Sequence, residues 1–237
     1  MEVRVGSKRH QKPKTVLIGM PTIGETVPLV TVQSLLQLHK PLPCAFFPVP
    51  RQRVDKARNA IAIEALRVGA DYLFFVDDDN PVPPDTLELF LKDDKDIVLA
   101  PIPSRNPDAT GRHPLCAFYA REVEVDGKPL RLYEEIKSFR DEGPLHRIDA
   151  GGCACMLIKT KVLAAMFAKY NQYMFEFGDI RFEQKITVDG QEYDRRTMGE
   201  DVEFCERAVD LGFEVWLDDR VRPFHMTTTN MIQWGGE

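Results

Sequence analysis

Three consecutive carboxylates follow a strongly apolar segment in the first half of the chain. The segment Tyr72–Val76 reads Tyr-Leu-Phe-Phe-Val and is followed at once by Asp77, Asp78 and Asp79. Adjacent anions repel one another, so holding them together requires a compensating charge, and a divalent cation that carries phosphate groups is a common one. In an extended backbone alternate side chains point the same way, which would let Asp77 and Asp79 face one site. The alternative is an acidic turn that merely ends the strand.

Two further groups that could take part in the same chemistry lie near the C-terminus. Gly199-Glu200-Asp201 opens a segment of helical periodicity, which would place both carboxylates near the positive end of a helix dipole. His225 follows a further apolar segment and a proline. A carboxylate can act as a general base, and an imidazole can ligate a metal. Taken singly, the two acids could equally be helix-start residues, and His225 a core or surface histidine.

The segments that carry these residues alternate between two periodicities. From Thr15 onward, apolar runs of strand length alternate with helical segments, which predicts an α/β protein with a mixed, mainly parallel sheet flanked by helices. Ligands bind at the carboxyl ends of the strands in such sheets, where the three aspartates would lie. A hairpin is predicted around Asp126-Gly127, and an insertion or flap over residues 175–193. Strands are predicted at 15–20, 44–49, 72–76, 96–100, 154–159 and 214–217, and helices at 27–38, 54–68 and 200–211.

The composition is that of a globular protein. Of the 237 residues 43% are apolar and 29% charged, and we predict a basic N-terminal arm over residues 1–14 and one domain over 15–237. The arm carries five cations against one acid, although the net charge of the chain is −6. It is either solvated and disordered or in contact with an anionic partner. The apolar runs are too short to cross a bilayer, so we expect a cytoplasmic protein without membrane insertion, and the five cysteines are expected to be buried, reduced thiols.

Taken together and in this order, these features resemble the GT-A nucleotide-sugar-dependent glycosyltransferases, in particular the large family-2-like group of inverting enzymes. The resemblance extends from Thr15 to His225. It rests on Ile18-Gly-Met-Pro-Thr22, Ala57-Arg-Asn-Ala60, the three aspartates as a form of the DxD motif, Asp149-Ala-Gly-Gly152, Gly199-Glu-Asp201 and the late His225.

The resemblance implies transfer of a hexose from a nucleotide-sugar, with a UDP-sugar as the favoured donor, to an acceptor hydroxyl. It implies Mn²⁺ or Mg²⁺ as the cofactor, with Asp77, Asp79 and His225 as ligands and Asp79 as the most direct one. Asp201 is favoured as the catalytic base, and Glu200 would orient hydroxyl groups, although the two roles could be exchanged. Arginine forks suit phosphate, and glycines let the backbone approach a sugar closely. The residues expected to bind the donor are Pro21, Thr22, Arg51, Arg58, Asp77, Asp78, Arg105, Gly151 and Gly152.

The acceptor and two other functional classes stay open. The acceptor could be a saccharide, a protein side chain or a hydroxymethylated base in DNA, as in the DNA-modifying glycosyltransferases of some bacteriophages. The acidic bulk charge argues against DNA, whereas the basic arm and the pairs Lys128/Arg131 and Lys137/Arg140 favour it. A non-catalytic nucleotide-sugar-binding module is the alternative to an enzyme. A nucleotidyltransferase is disfavoured because no glycine-rich loop with a lysine follows the first strand.

Overall fold

A computed structural model describes residues 12–125, 127–177, 186–188, 190–193, 199–227 and 231–233. The strands are β1 (Val16–Thr22), β2 (Cys44–Pro50), β3 (Tyr72–Val76), β4 (Ile97–Leu99), β5 (Ala117–Val125), β6 (Lys128–Glu135), β7 (Leu145–Ile148), β8 (Ala150–Gly151), β9 (Cys155–Lys159), β10 (Ile186–Val188), β11 (Gln191–Tyr193), β12 (Val215–Asp218), β13 (Phe224–Met226) and β14 (Met231–Gln233). The helices are α1 (Leu29–Gln37), α2 (Val54–Val68), α3 (Thr86–Asp93), α4 (Thr160–Tyr170) and α5 (Glu200–Asp210).

Seven strands form the central sheet, in the order β2-β1-β3-β9-β4-β12-β7. β1, β2 and β3 are mutually parallel, and β4 and β12 run in the same direction as these three. The exceptions are β9, which lies antiparallel between β3 and β4, and the edge strand β7. The predicted α/β class with a mixed, mainly parallel sheet flanked by helices is therefore confirmed.

Helices cover both faces of this sheet because its central strands are apolar on both sides. Alternate residues of β3 enter different cores: Phe75 packs with α2, α4 and α5, while Phe74 packs with α3. All five positions of β3 are buried, as expected of a strand covered on both faces. α2 ends at Gly69 in the left-handed conformation, with φ of 65°, which is the predicted helix C-terminus. This packing holds the end of β3 rigidly against α2.

The less regular second half supplies smaller sheets around the central one. β5 and β6 form the predicted hairpin, and β8 pairs with β5 to give a three-stranded sheet. In the predicted insertion, β10 pairs with β11, whereas residues 178–185 and 189 lie outside the described residues. β13 pairs with β14, and neither strand is among those predicted.

The predicted N-terminal arm falls largely outside the described residues, which begin at residue 12. Within the described part of the arm, Lys14 donates a hydrogen bond from Nζ to the Tyr72 hydroxyl at 3.1 Å. None of the helices in the part of the chain described here has the length and apolar character that crossing a bilayer requires.

Candidate active site

A cleft of about 460 Å³ lies beyond the carboxyl ends of β1 and β3, where ligands bind in open α/β sheets. It collects most of the residues predicted to bind a donor or a metal. Arg51 and Gly151 lie outside its lining, and a Cβ atom on Gly151 would come within 2.9 Å of the Leu99 side chain, so this glycine allows close packing. The lining residues are Pro21, Thr22, Ile23, Gln52, Val54, Arg58, Asp77, Asp78, Asp79, Asn80, Ile102, Ser104, Arg105, Asn106, Cys116, Gly152, Cys153, Ala154, Glu200, Asp201 and His225.

One side of the cleft carries four charged residues, Arg58, Asp77, Glu200 and Asp201, which we call the buried cluster because Arg58 and Glu200 are buried, while Asp77 and Asp201 are partly exposed. The Arg58 side chain is 3% exposed, and its two terminal nitrogens donate to Asp77 Oδ1 at 3.0 Å and Oδ2 at 2.8 Å. Its Nε donates to Glu200 Oε1 at 3.0 Å. Burial alone would lower the pKa of Arg58, but the carboxylates of Asp77 and Glu200 hold it above its ordinary value. A permanent cation therefore ties the end of β3 to the start of α5.

Asp201 is the member of the buried cluster that this cation does not bind directly. Burial and the neighbouring Glu200 carboxylate raise the pKa of Asp201 to about 6, while Arg58 opposes that rise. Its Oδ1 accepts a hydrogen bond from the Val202 backbone N–H at 2.8 Å. A Cβ atom on Gly199 would lie 2.5 Å from this same oxygen, so the glycine that starts α5 leaves room for the carboxylate. Asp201 can therefore accept a proton near neutral pH.

The other side of the cleft is an outer cluster of Asp79, Arg105 and His225, assembled by β13. The segment after β3 pairs with β13, because the Met226 backbone N–H donates to the Asp79 carbonyl at 2.8 Å. The buried Asn80 side chain donates to the Phe224 carbonyl at 3.0 Å. His225 lies between these two attachments and brings its Nε2 to 3.6 Å from Asp79 Oδ2. Hydrogen bonds to the backbone of β13 thus bring His225 next to Asp79, although the two residues are more than 140 positions apart in sequence.

The hydrogen bonds of His225 determine which of its ring nitrogens can act as a ligand. Nδ1 lies 2.7 Å from the Pro103 carbonyl oxygen, which can only accept, so Nδ1 carries the proton. Burial, together with the nearby Arg105 charge, lowers the pKa of His225 and favours the neutral ring. Nε2 therefore keeps its lone pair, to which Arg105 Nε donates at 3.4 Å. The Arg105 guanidinium also forms an ion pair with Asp79.

Asp79 and His225 fit a divalent cation as a pair of ligands. Two ligand atoms in neighbouring positions of an octahedral ion lie about 3 Å apart, so binding a cation here requires a small closure of the 3.6 Å separation and the departure of Arg105, which contacts both side chains. Among the described residues no three His, Cys, Asp or Glu side chains form a metal-binding group. A cation bound by one or two side chains is usually completed by phosphate and water oxygens. Both oxygens of Asp77 already accept from Arg58, and metal ligation by Asp77 stays a prediction.

Several residues that shape the site were not among the predicted site residues. Asn59 follows Arg58 on α2, and its side chain binds the backbone of Phe175, donating to the carbonyl at 2.6 Å and accepting from the N–H at 3.0 Å. Phe175 stacks on Phe204 of α5 at 4.2 Å between ring centroids, so the adjacent Arg-Asn pair holds α5 at two points. The sequence signal that could have identified Asn59 is its position next to Arg58, because two neighbouring polar residues stand out in the apolar pattern of α2. Asn80 was not among the predicted site residues.

The arginines of the two basic pairs that could have favoured DNA contact other parts of the protein. Arg131 lies 3.1 Å from Asp210 and 3.7 Å from Glu206, both on α5. The Arg140 guanidinium stacks over Tyr119 at 3.7 Å from the ring centroid. The arginines of both pairs therefore contact protein groups in this arrangement.

Of the comparisons with known proteins, the one with A197 from STIV supports the fold. No family model matches the chain, and no curated protein matches it. The crystal structure of A197 from STIV is similar with a TM-score of 0.55 at 15% identity, and the match covers 94% of this chain and 95% of A197. S. aureus TarS 1–349 in complex with UDP-GlcNAc gives a TM-score of 0.45 at 15% identity, covering 86% of this chain and 55% of TarS. UDP-glucose pyrophosphorylase complexed with UDP-glucose gives 0.45 at 9% identity, covering 88% and 90%.

Proposed function

We propose that this chain is an inverting, metal-dependent glycosyltransferase that moves a hexose from a nucleotide-sugar to an acceptor hydroxyl. The observation that carries the proposal is the set of residues that line the cleft described above. One wall offers a carboxylate, a neutral imidazole and an exposed guanidinium, which suit a cation and a diphosphate. The buried cluster offers a carboxylate that can accept a proton near neutral pH.

The outer cluster is the proposed site of the donor diphosphate. Asp79 and His225 would hold Mn²⁺ or Mg²⁺, which when bound acts as a Lewis acid on the phosphates of the leaving group. Arg105 is 53% exposed, so its guanidinium can leave Asp79 and donate to phosphate oxygens instead. The Asp78 backbone is held by a hydrogen bond from the Thr31 hydroxyl to its carbonyl at 2.7 Å, which fixes the floor of this region. Pro21 and Thr22 line the same cleft and would contact the nucleoside.

Asp201 is the proposed general base. It would take the proton of the acceptor hydroxyl as that oxygen attacks the anomeric carbon and the bond to the diphosphate breaks on the opposite face. A pKa of about 6 makes Asp201 a stronger base than an ordinary aspartate while leaving it ionised at pH 7. Gly152 lies beside it, since a Cβ atom there would be 3.6 Å from Asp201 Oδ2, and the absent side chain leaves space for a sugar.

The proposal is tested by measuring the release of free nucleoside diphosphate from a panel of UDP-, GDP-, ADP- and dTDP-sugars with Mn²⁺ and without it. We expect Mn²⁺-dependent release with at least one donor, loss of release in Asp79→Ala and no change in Asp85→Ala. Asp85 is the matched control because it is exposed and makes no side-chain cap hydrogen bond. Binding of a nucleotide-sugar without any release would identify a non-catalytic binding module. Failure to bind any member of the panel would overturn the proposal.

The same assay separates the acceptor classes. Three kinds of acceptor are each added to the active donor: oligosaccharides, a protein lysate fraction treated to remove small molecules, and hydroxymethylated duplex DNA. The configuration of the product at the anomeric carbon is then determined by NMR. An inverted product is expected. For DNA, each phosphate engaged should add about one unit to the slope of log affinity against log salt, and deleting residues 1–14 should reduce that slope. A salt-independent interaction would remove the nucleic-acid alternative.

A further inference from the structure

We propose that Arg58 is a positioning residue that couples Glu200, at the start of α5, to the end of β3, and that it does not bind the donor. The inference rests on the proposed function and assigns Arg58 a role other than the donor contact expected from sequence. Its basis is a single buried side chain that binds Asp77 at the end of β3 and also Glu200, which lies 142 residues from Arg58 in sequence.

The hydrogen bonds of Arg58 are directed at protein carboxylates. Three of the five guanidinium N–H groups donate to Asp77 and Glu200, at 2.8 to 3.0 Å. The guanidinium also lies over the Phe75 ring, 5.1 Å from its centroid. A side chain that is 3% exposed and held in this way has little freedom to turn toward a phosphate. By contrast, Arg105 is half exposed on the other wall.

The position of Arg58 also affects the ionisation of Asp201. The groups facing Asp201 come from four places: Glu200 and Cys205 on its own helix, Arg58 on α2, Cys116 before β5 and Cys153 before β9. Burial raises the pKa of each of the three thiols, so they are neutral near pH 7. Arg58 and Glu200 are the charges in this set, and they act on Asp201 in opposite directions. The pKa of Asp201 therefore depends on Arg58 staying in the position in which Asp77 and Glu200 hold it.

The test follows the Asp201 carboxyl directly by ¹³C NMR of labelled aspartate, assigned with Asp201→Asn, in the full chain without ligand. In Arg58→Gln the titration midpoint of Asp201 should rise by at least about one pH unit. In Glu200→Gln, which keeps an acceptor for Arg58 Nε, the midpoint should fall below that of the parent protein. In Arg58→Lys, which keeps the charge, it should change by less than about half a unit. An unchanged midpoint in Arg58→Gln would overturn the coupling; if Arg58→Gln does not fold, the release and UDP affinity of Arg58→Lys, described next, decide.

A second readout separates positioning from donor contact. UDP affinity in the presence of Mn²⁺ is measured by calorimetry for Arg58→Lys and compared with nucleoside diphosphate release. Positioning predicts that release falls at least tenfold while UDP affinity stays within about threefold. An equal loss of affinity and release would show that Arg58 contacts the donor. Because the NMR titration uses neither donor nor metal, a protein that binds no nucleotide would disprove the proposed function while the coupling is still measured.

Discussion

The two walls of the cleft use the same residue types in opposite ways. In the buried cluster, Arg58 is 3% exposed and binds two carboxylates with three hydrogen bonds. Water therefore has little access to the guanidinium of Arg58. In the outer cluster, Arg105 is 53% exposed and pairs with Asp79 where water can replace either partner. Breaking a buried pair costs several kcal/mol, roughly 3–5, whereas exposed pairs contribute about 0–1 kcal/mol. The difference indicates that the wall with the buried cluster is in place before a ligand arrives, and we call it the fixed wall. The wall with the outer cluster can rearrange around a ligand, and we call it the adaptable wall.

The largest expected effect comes from the base on the fixed wall. Asp201→Asn should lower the rate of transfer by about 10² to 10⁴, because the variant cannot take the proton of the attacking hydroxyl. UDP affinity should be retained, since Asp201 is not part of the outer cluster. The measurement is single-turnover kinetics beside calorimetry. If the rate survives and only the apparent KM for the donor rises, the base lies elsewhere and Glu200 is the first alternative.

The raised pKa of Asp201 also predicts a dependence of stability on pH. Because the folded state binds this proton more tightly than the unfolded chain, the stabilisation is present below the unfolded pKa and is lost as the pH rises through the folded value. A pKa moved from 3.8 to about 6 corresponds to about 3 kcal/mol. Relative to the parent, Asp201→Asn should therefore gain up to this amount in the free energy of unfolding between about pH 4 and pH 7. Urea unfolding at both pH values measures it, with Asp85→Asn as the control that should show no such gain.

A smaller effect is expected at the adaptable wall. Arg105→Ala should weaken UDP binding in the presence of Mn²⁺ by about fivefold, since one partly exposed phosphate contact contributes roughly 1 kcal/mol. The loss should shrink as salt is raised, because exposed charges are screened. Calorimetry at two salt concentrations checks this. A loss greater than a hundredfold that does not depend on salt would show that the outer cluster is as fixed as the buried one.

The smallest effect is expected at an exposed arginine that does not line the cleft. Arg67 is 69% exposed and forms an ion pair with Glu64 on α2, and neither residue lines the cleft. Arg67→Ala should leave the urea midpoint and UDP affinity unchanged, whereas Arg58→Lys, on the same helix, should lower the midpoint. Equal urea midpoints for Arg67→Ala and Arg58→Lys would contradict the difference between buried and exposed arginines, on which the comparison of the two walls depends.

Much of the fixed wall could be predicted from sequence, because it is built on long periodic elements. β3 and α2 each carry a clear apolar pattern, and the three aspartates follow the strand directly. The partner of Arg58 could not be predicted in this way. Asp77 and Asp79 line one cleft, as alternation suggests, yet they contact different cations because the strand ends at Val76 and the chain turns, with the Asn80 N–H bonded to the Asp77 carbonyl at 3.1 Å.

The adaptable wall was harder to predict because its elements are short. β13 has three residues, too few for a periodic signal, and its place is set by hydrogen bonds to the segment after β3. His225 was identified from its residue type and its position near the chain end, but the proton on Nδ1 follows only from the contact with Pro103. Likewise, the apolar run of β9 predicts a strand and not its antiparallel direction between β3 and β4.

The central claim is that the adaptable wall binds a nucleoside diphosphate through a cation while the fixed wall serves the chemical step. The most direct measurement is a calorimetric titration of UDP, with GDP and ADP alongside, into the parent protein, Asp79→Ala and Asp201→Asn, each with Mn²⁺ and with a chelator. We predict that at least one nucleoside diphosphate binds the parent only with Mn²⁺, that Asp79→Ala weakens this binding by at least about tenfold, or about 1.4 kcal/mol, and that Asp201→Asn leaves it unchanged. Binding that is independent of the metal, or weakened equally by both substitutions, would contradict the claim.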